Sequence, residues 1–133
     1  LTPLERSERM SRVRHKYTKP EWAVRRMLWA LGYRYRLHGR GLPGRPDIVF
    51  PRQKKAVFIH GCFWHRHPRC RNCRLPKSRL DFWGPKLREN RVRDLRNQRA
   101  LKRLEWPYLI VWECETKDVD VLGMTILEFL DGD

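Results

Sequence analysis

Residues 42–67 read LPGRPDIVFPRQKKAVFIHGCFWHRH, which is two short apolar runs separated by a polar turn at positions 51–54. Two such runs joined by a turn predict an antiparallel β-hairpin. The first run begins after Asp47, and the second ends at His60. If the turn centres near Arg52 and Gln53, Asp47 lies roughly opposite the residues just before or at His60. The hairpin therefore predicts that a carboxylate and an imidazole meet at one open end of a sheet.

The apolar periodicity of the rest of the chain predicts alternating helices and strands. A first helix starts near Thr18 or Lys19 and ends at Gly32. The second hairpin strand is almost wholly apolar, so we expect it in the middle of the sheet. The order of elements indicates an α/β fold with a mixed central sheet flanked by helices, in which a meander leads through a helical crossover to a last strand. The other predicted elements are a strand over Tyr33–Leu37, hairpin strands over Asp47–Phe50 and Lys55–His60, a long helix from about Pro85 to Leu104, a strand over Pro107–Trp112 and a helix over Val119–Leu130.

Length and charge bound the class of protein. The 133 residues are expected to form a single domain, 1–133, that is long enough to bury a core without disulfides. The formal charge is +15, and residues 1–112 hold 29 bases against 8 acids, which favours a polyanionic partner. Residues 1–17 are expected to form a basic arm, either as a short helix from about Pro3 to Arg14 or as a segment that orders on binding. No signal peptide or long apolar run is visible, so no membrane contact and a cytoplasmic location are expected.

Three of the four cysteines fall between positions 62 and 73, in a loop over residues 61–76 that also contains histidines. Thiols and imidazoles this close together are typical of zinc ligation. A metal would also hold in one shape a loop that has little apolar content. Two ligand sets are open: one uses Cys62, His67, Cys70 and Cys114, and the other is an all-cysteine site that includes Cys73, since Cys70-x-x-Cys73 is itself a common zinc spacing.

A second set of residues is suited to magnesium and to proton transfer. Asp47 stands at the start of a strand in a very basic chain, and Mg²⁺ prefers carboxylate, carbonyl and water ligands. Glu21 is a candidate second acid, although a partner for the helix dipole is an equally good interpretation. His60 and His65 are suited to moving protons near neutral pH.

Aromatic and basic side chains indicate a nucleic-acid surface. Phe63 and Trp64 lie in the polar loop and Trp83 lies before a Gly-Pro pair, and such side chains can wedge between or stack on bases. Eight Lys and Arg side chains of the long helix are expected to contact phosphates. Three further tryptophans are expected in the core: Trp29, Trp106 and Trp112.

Several spaced motifs resemble those of the very-short-patch repair (Vsr) DNA mismatch endonucleases. They are LPGRPD at 42–47, HGCFWHRH at 60–67, Phe82-Trp83 and VWEC at 111–114, and the likeness runs from about Met10 to about Cys114. The resemblance implies a fold like that of type II restriction endonucleases and a monomer acting on double-stranded DNA in the nucleoid. It implies a Mg²⁺-dependent nick 5′ to the thymine of a T:G mismatch left by deamination of 5-methylcytosine.

The resemblance also implies roles for single residues. Asp47 would hold Mg²⁺ together with the backbone carbonyl of Ile59, which stands where the family commonly has Thr. His60 and His65 would activate water and handle protons, with Glu21 near the site. The structural zinc would bind Cys62, His67, Cys70 and Cys114, with Cys70 preferred over Cys73 because it keeps the family's distance to Pro76. The duplex would be entered by Phe63, Trp64 and Trp83, and by Met10 from the other groove.

Two other functions remain as rivals. A zinc-stabilised DNA-binding module without catalysis would use the same basic helix, aromatic loop and thiols, but it leaves Asp47, His60 and His65 without a shared role. A restriction-like nuclease of the same fold would cut undamaged duplex. Cleavage of perfectly paired DNA distinguishes that nuclease from a mismatch endonuclease.

Overall fold

The computed structural model describes residues 19–71 and 80–131, and of Leu80 it describes only the place in a helix. The predicted N-terminal arm with Met10, and Cys73, lie outside the described residues. The described elements are α1 (Lys19–Ala30), β1 (Arg36–Leu37), β2 (Ile48–Phe50), β3 (Lys55–His60), α2 (Leu80–Arg103), β4 (Tyr108–Trp112), a 3₁₀ turn (Glu113–Lys117) and α3 (Val119–Asp131).

The four strands form one mixed sheet in the order β1-β2-β3-β4. Strands β1, β2 and β3 are antiparallel neighbours, and β4 lies parallel to β3 after the crossover through α2. The predicted mixed sheet is thereby confirmed, with the apolar strand β3 between two neighbours. Parallel strands place their carboxyl ends at the same edge, so β3 and β4 finish together at the paired residues His60 and Trp112.

Alternation along the strands divides the sheet into two faces. One face carries the main core, in which buried residues of β2, β3 and β4 pack against α1 and α3. The opposite face carries Ala56, Phe58 and His60, and it lies under α2, where Tyr108 on β4 reaches Gln98 of the helix with 3.5 Å between Oη and Oε1. The core residues are Val24, Leu28, Ile48, Phe50, Val57, Val111, Leu122, Ile126 and Leu130.

Helix α1 ends in a glycine cap that the sequence predicts. Gly32 has φ +91°, in the left-handed region, and its N–H bonds the Trp29 carbonyl at 3.0 Å. The N–H of Tyr33 bonds the Leu28 carbonyl at 2.9 Å, which completes a Schellman motif. This cap turns the chain sharply from α1 into the sheet and leaves Glu21, in the first turn, at the opposite end of the helix.

Three local predictions are wrong. Helix α2 begins at Leu80 and contains Pro85, because a proline this near the start removes only one ladder bond. Strand β1 is limited to Arg36–Leu37, since β2 has three residues and is followed by Pro51, which has no N–H to donate. Trp29 is 55% exposed, not in the core, with the Arg34 guanidinium 3.4 Å from its ring centre.

Candidate active site and metal centre

The hairpin register brings Asp47 to the end of β3. Ile48 pairs with Val57, so the residue before Ile48 faces the last residues of β3. The Ile59 N–H donates to the Asp47 carboxylate at 2.7 Å. In a strand the N–H and C=O of one residue point to the same side, so the Ile59 carbonyl faces the Asp47 side as well. The predicted meeting of the carboxylate with the end of the second strand is present, and it supplies a hard carbonyl oxygen.

Asp47 belongs to a cluster with Glu21 and His38, whose ligand atoms all lie within 4.8 Å of one another. Glu21 is only 4% exposed, and its pKa is raised to about 7 by burial and by the Asp47 carboxylate, against the opposing charge of Arg25. Burial also raises the pKa of Asp47, while the Ile59 N–H opposes that rise. Two carboxyl groups this close resist ionising together, and a cation between them would relieve the repulsion.

A second cluster joins the two predicted histidines to an acid of the long helix. The rings of His60 and His65 stack with centroids 3.8 Å apart and planes 11° apart. His65 Nδ1 lies 2.6 Å from Oδ2 of Asp94, which α2 places under the loop after β3. The ligand atoms of His60, His65 and Asp94 lie within 4.8 Å of one another.

The geometry fixes which nitrogen of His65 can take up a proton. A hydrogen bond from Nδ1–H to the Asp94 carboxylate leaves Nε2 with a free lone pair, the arrangement of an oriented general base. His60 differs, because it is buried and its Nδ1 has no hydrogen-bond partner among the described residues. Burial, with the charge of His65, lowers the pKa of His60 to about 4, although Asp94 acts in the other direction. The stacked neighbour is therefore neutral near pH 7.

The third cluster consists of Cys62, His67, Cys70 and Cys114, whose ligand atoms also lie within 4.8 Å of one another. The parallel pairing of His60 with Trp112 explains part of it, because Cys62 and Cys114 each follow two residues later. The His67 N–H bonds the Cys62 carbonyl at 2.9 Å, and its ring stacks on Trp112 at 4.2 Å.

These thiols fit a tetrahedral metal. A Zn–S bond of about 2.3 Å gives neighbouring sulfurs a separation of about 3.8 Å, which this spacing accommodates. Burial and the adjacent thiols Cys62 and Cys70 raise the pKa of Cys114 to about 12, so without a metal the Cys114 thiol stays protonated. Metal binding would displace this proton. Among the described residues, the clustered ligands are those of the predicted zinc set that contains Cys70.

Four aromatic side chains, two from the loop after β3 and two from the first turns of α2, form one group. Phe63, Trp64 and Trp83 have ring centroids 5.1 to 5.6 Å apart, and Phe82 lies 5.1 Å from Trp83. Trp64 and Phe82 are each 43% exposed. The side chain of Asn90 on α2 reaches the Trp64 carbonyl at 3.4 Å, which ties the loop to the helix. Phe82 and Trp83 lie in the first turns of α2 instead of on a loop.

Comparison with known proteins decides the family. Residues 1–72 match the model of the family described as DNA mismatch endonuclease Vsr. A type II nicking enzyme V.XorIIP of Xanthomonas oryzae pv. oryzae is 50% identical over 131 residues, covering 98% of this chain and 96% of its own. The chain belongs to the Vsr family. The DNA mismatch endonuclease Vsr of Escherichia coli is 38% identical over 109 residues, covering 82% and 69%. A type II nicking enzyme V.NmeAIP of Neisseria meningitidis is 43% identical over 118 residues, covering 89% and 84%.

Membership of the Vsr family makes the protein an endodeoxyribonuclease with a restriction-endonuclease-like fold. Its substrate is DNA, and its activity is that of a mismatch or sequence-specific endonuclease. All eight predicted bases of α2 are exposed on this DNA-acting protein: Lys86, Arg88, Arg91, Arg93, Arg96, Arg99, Lys102 and Arg103. None of the helices over residues 19–71 and 80–131 has the length and apolar character to cross a bilayer.

Two residues of these clusters escape sequence reasoning. Asp94 lies among the bases of an amphipathic helix and reads as a solvated charge, so only the packing of α2 beneath His65 reveals it. His38 precedes a glycine-rich loop and has φ +51°, a backbone conformation that the local sequence does not predict. The predicted catalytic and metal-binding residues within the described chain lie at the same edge of the sheet: Glu21, Asp47, Ile59, His60, His65 and the set of Cys62, His67, Cys70 and Cys114.

Proposed function

We propose that this Vsr-family endonuclease nicks one DNA strand 5′ to the thymine of a T:G mismatch formed by deamination of 5-methylcytosine, and so starts very-short-patch repair. The observation that carries the chemistry is the pairing of Asp47 and the Ile59 carbonyl, on one side of the β3 end, with the oriented His65 on the other. Action on a mismatch is in keeping with the description of the matched family and of its Escherichia coli member, and the T:G pair and the nick 5′ to the thymine are what the sequence resemblance implies.

The cation of this reaction is proposed to be Mg²⁺, held by Asp47 and the Ile59 carbonyl. Both are hard oxygen ligands, as Mg²⁺ prefers, and they leave positions for water and phosphate. A divalent cation held by these residues would supply polarisation of the scissile phosphate and stabilisation of its developing charge. Without a cation, Glu21 relieves the repulsion from Asp47 by keeping a proton, as its raised pKa shows; a bound cation would favour loss of that proton and a second negative charge in the site.

The proton of the attacking water is assigned to His65. Its Nε2 is free because Nδ1 bonds Asp94, and this carboxylate stabilises the imidazolium that forms. His60 packs flat against His65 and stays neutral, so it positions the ring without competing for a positive charge. The division of roles is therefore a base, His65, and a neutral neighbour, His60.

Structural support comes from a zinc ion at Cys62, His67, Cys70 and Cys114. This set is closed, with three thiols and one imidazole and no position for water, which is typical of a structural site. Because Cys62 and Cys114 follow the paired strand ends, zinc would lock β3 to β4 directly beside the catalytic residues. The loop that carries His65 would thereby be fixed.

Recognition is assigned to the aromatic group and the basic helix. A mismatched step is cheaper to unstack than a paired one, so exposed rings such as Trp64 can enter it at lower cost. We propose the wedge of Phe63, Trp64 and Trp83, with Phe82 beside it, Met10 on the opposite groove, and phosphate contacts from α2. The protein is proposed to act as a monomer on nucleoid DNA in the cytoplasm.

Strand-resolved cleavage of a labelled duplex tests the proposal. One duplex carries a central T:G pair and its twin carries T:A, with varied flanking sequences. The expected result is a single Mg²⁺-dependent nick 5′ to the mismatched T. Equal cutting of both duplexes would indicate a sequence-specific nickase, in keeping with the names of several relatives. Tight, salt-sensitive binding without any cutting would indicate a non-catalytic module.

A further inference from the structure

His38 occupies the place of a third protein ligand beside the two carboxylates of the active site. Its ligand nitrogen lies within 4.8 Å of the ligand oxygens of Glu21 and Asp47. Its Nε2 is shielded from solvent and has no hydrogen-bond partner among the described residues. A buried polar atom left without a partner is destabilising. A cation held by this cluster would give the His38 imidazole and both carboxylates a shared partner.

The backbone holds His38 in this position. Its N–H bonds the Asp47 carbonyl at 2.9 Å, and the Gly39 N–H bonds the Pro46 carbonyl at 2.8 Å. These two bonds tie the residue directly to the chain segment that carries Asp47. The φ of +51° lies in the left-handed region, which is uncommon outside glycine and strained for a residue with a side chain. This conformation is kept at a residue whose ring belongs to the cluster of Glu21 and Asp47.

We propose that His38 is a direct ligand of the catalytic cation, and that its nitrogen gives the site a preference for first-row transition cations, with Mn²⁺ as the probe, over Mg²⁺. The inference rests on the proposed metal site at Asp47 and deepens it. Mg²⁺ takes oxygen ligands and parts with its waters reluctantly, whereas imidazole suits transition metals. A site of two carboxylates, one carbonyl and one imidazole therefore discriminates between the two ions.

The test is Mn²⁺ binding to the whole protein, followed by electron spin echo spectroscopy. One equivalent of Zn²⁺ is added first, so that the thiol cluster does not take up Mn²⁺. A ¹⁴N coupling reports an imidazole bound directly to the ion, and it is read before any DNA is added. His38→Asn is the test variant, because asparagine tolerates a positive φ. His65→Asn is the matched control, since that ring is held by Asp94 in the other histidine cluster.

The expected result is a ¹⁴N coupling in the natural protein and in His65→Asn that disappears in His38→Asn. The dissociation constant for Mn²⁺ should rise at least about tenfold in His38→Asn, because losing even an outer-shell partner costs that much, and that for Mg²⁺ should change less. Mn²⁺ bound without nitrogen coupling, or coupling that persists in His38→Asn, would overturn this inference alone. Unchanged Mn²⁺ binding in Asp47→Asn would instead overturn the metal site on which it rests.

Discussion

The carboxylate cluster and the thiol cluster stand at the same edge of one sheet, yet they are built for different work. Cys62, fully buried, and Cys114 meet because two parallel strands end together, and His67 and Cys70 complete a closed set. Asp47 reaches its partners through the antiparallel hairpin, and its cluster offers hard ligands beside a backbone carbonyl. Soft, closed ligation stabilises a structure, whereas hard, incomplete ligation leaves room for a substrate.

Removal of the Asp47 carboxylate should have the largest effect on activity. In Asp47→Ala we expect nicking to fall by about a thousandfold or more, because charge stabilisation at the reacting phosphate is lost. DNA affinity should be unchanged, since the basic helix is intact. Single-turnover cleavage and a binding titration measure the two quantities. Asp120→Ala, an exposed acid at the start of α3, is the control, and retained cleavage in Asp47→Ala would refute the metal assignment.

A change in the thiol cluster should affect the stability of the protein first, whereas a change of Asp47 affects its activity. In Cys114→Ala the protein should lose its zinc and several kcal/mol of stability, because the metal-binding free energy is part of the folding free energy. Zinc content by mass spectrometry and the melting temperature measure this. Unchanged values for both would remove Cys114 from the ligand set.

A change of Asp94 should weaken catalysis without touching either metal. Asp94→Asn removes the charge that orients His65 and stabilises its imidazolium, so we expect the rate of nicking to fall about a hundredfold. Zinc content, Mn²⁺ binding and DNA affinity should stay as they are. A loss of metal together with activity would mean that Asp94 acts on structure instead of on the proton.

The smallest effect concerns stability of the protein without its divalent cation. Folding raises the pKa of Glu21 from 4.5 to about 7, so the folded state disfavours the charged form. Stability should therefore decrease as the pH rises from about 4.5 to about 7, and level off above that, by at most about 3 kcal/mol. Glu21→Gln should flatten this part of the profile, measured by urea unfolding at a series of pH values. An identical slope in the variant would contradict the buried-pair account.

The sequence predicts most ligands of both clusters but misses residues that only the packing brings to the site. Hairpin periodicity is local, so the meeting of Asp47 with the end of β3 follows from the turn alone. The spacing of the cysteines and histidines likewise limits the choice of zinc ligands, because thiols and imidazoles this close together have few other uses. Asp94 depends on how a helix crosses the sheet, which no local pattern encodes. Trp29 is expected in the core because large aromatic side chains usually pack there, but its ring is exposed and the Arg34 guanidinium covers it.

The most direct measurement compares the two sites in one sample. The protein is passed into Mg²⁺-free buffer, its zinc is counted by native mass spectrometry, and nicking of a T:G duplex is followed before and after Mg²⁺ is returned. The account predicts no nicking without Mg²⁺, full recovery on its return, and zinc content and melting temperature unchanged throughout. Nicking that continues without Mg²⁺, or that rises and falls with zinc, would contradict the assignment of chemistry to the carboxylate cluster and of structure to the thiols.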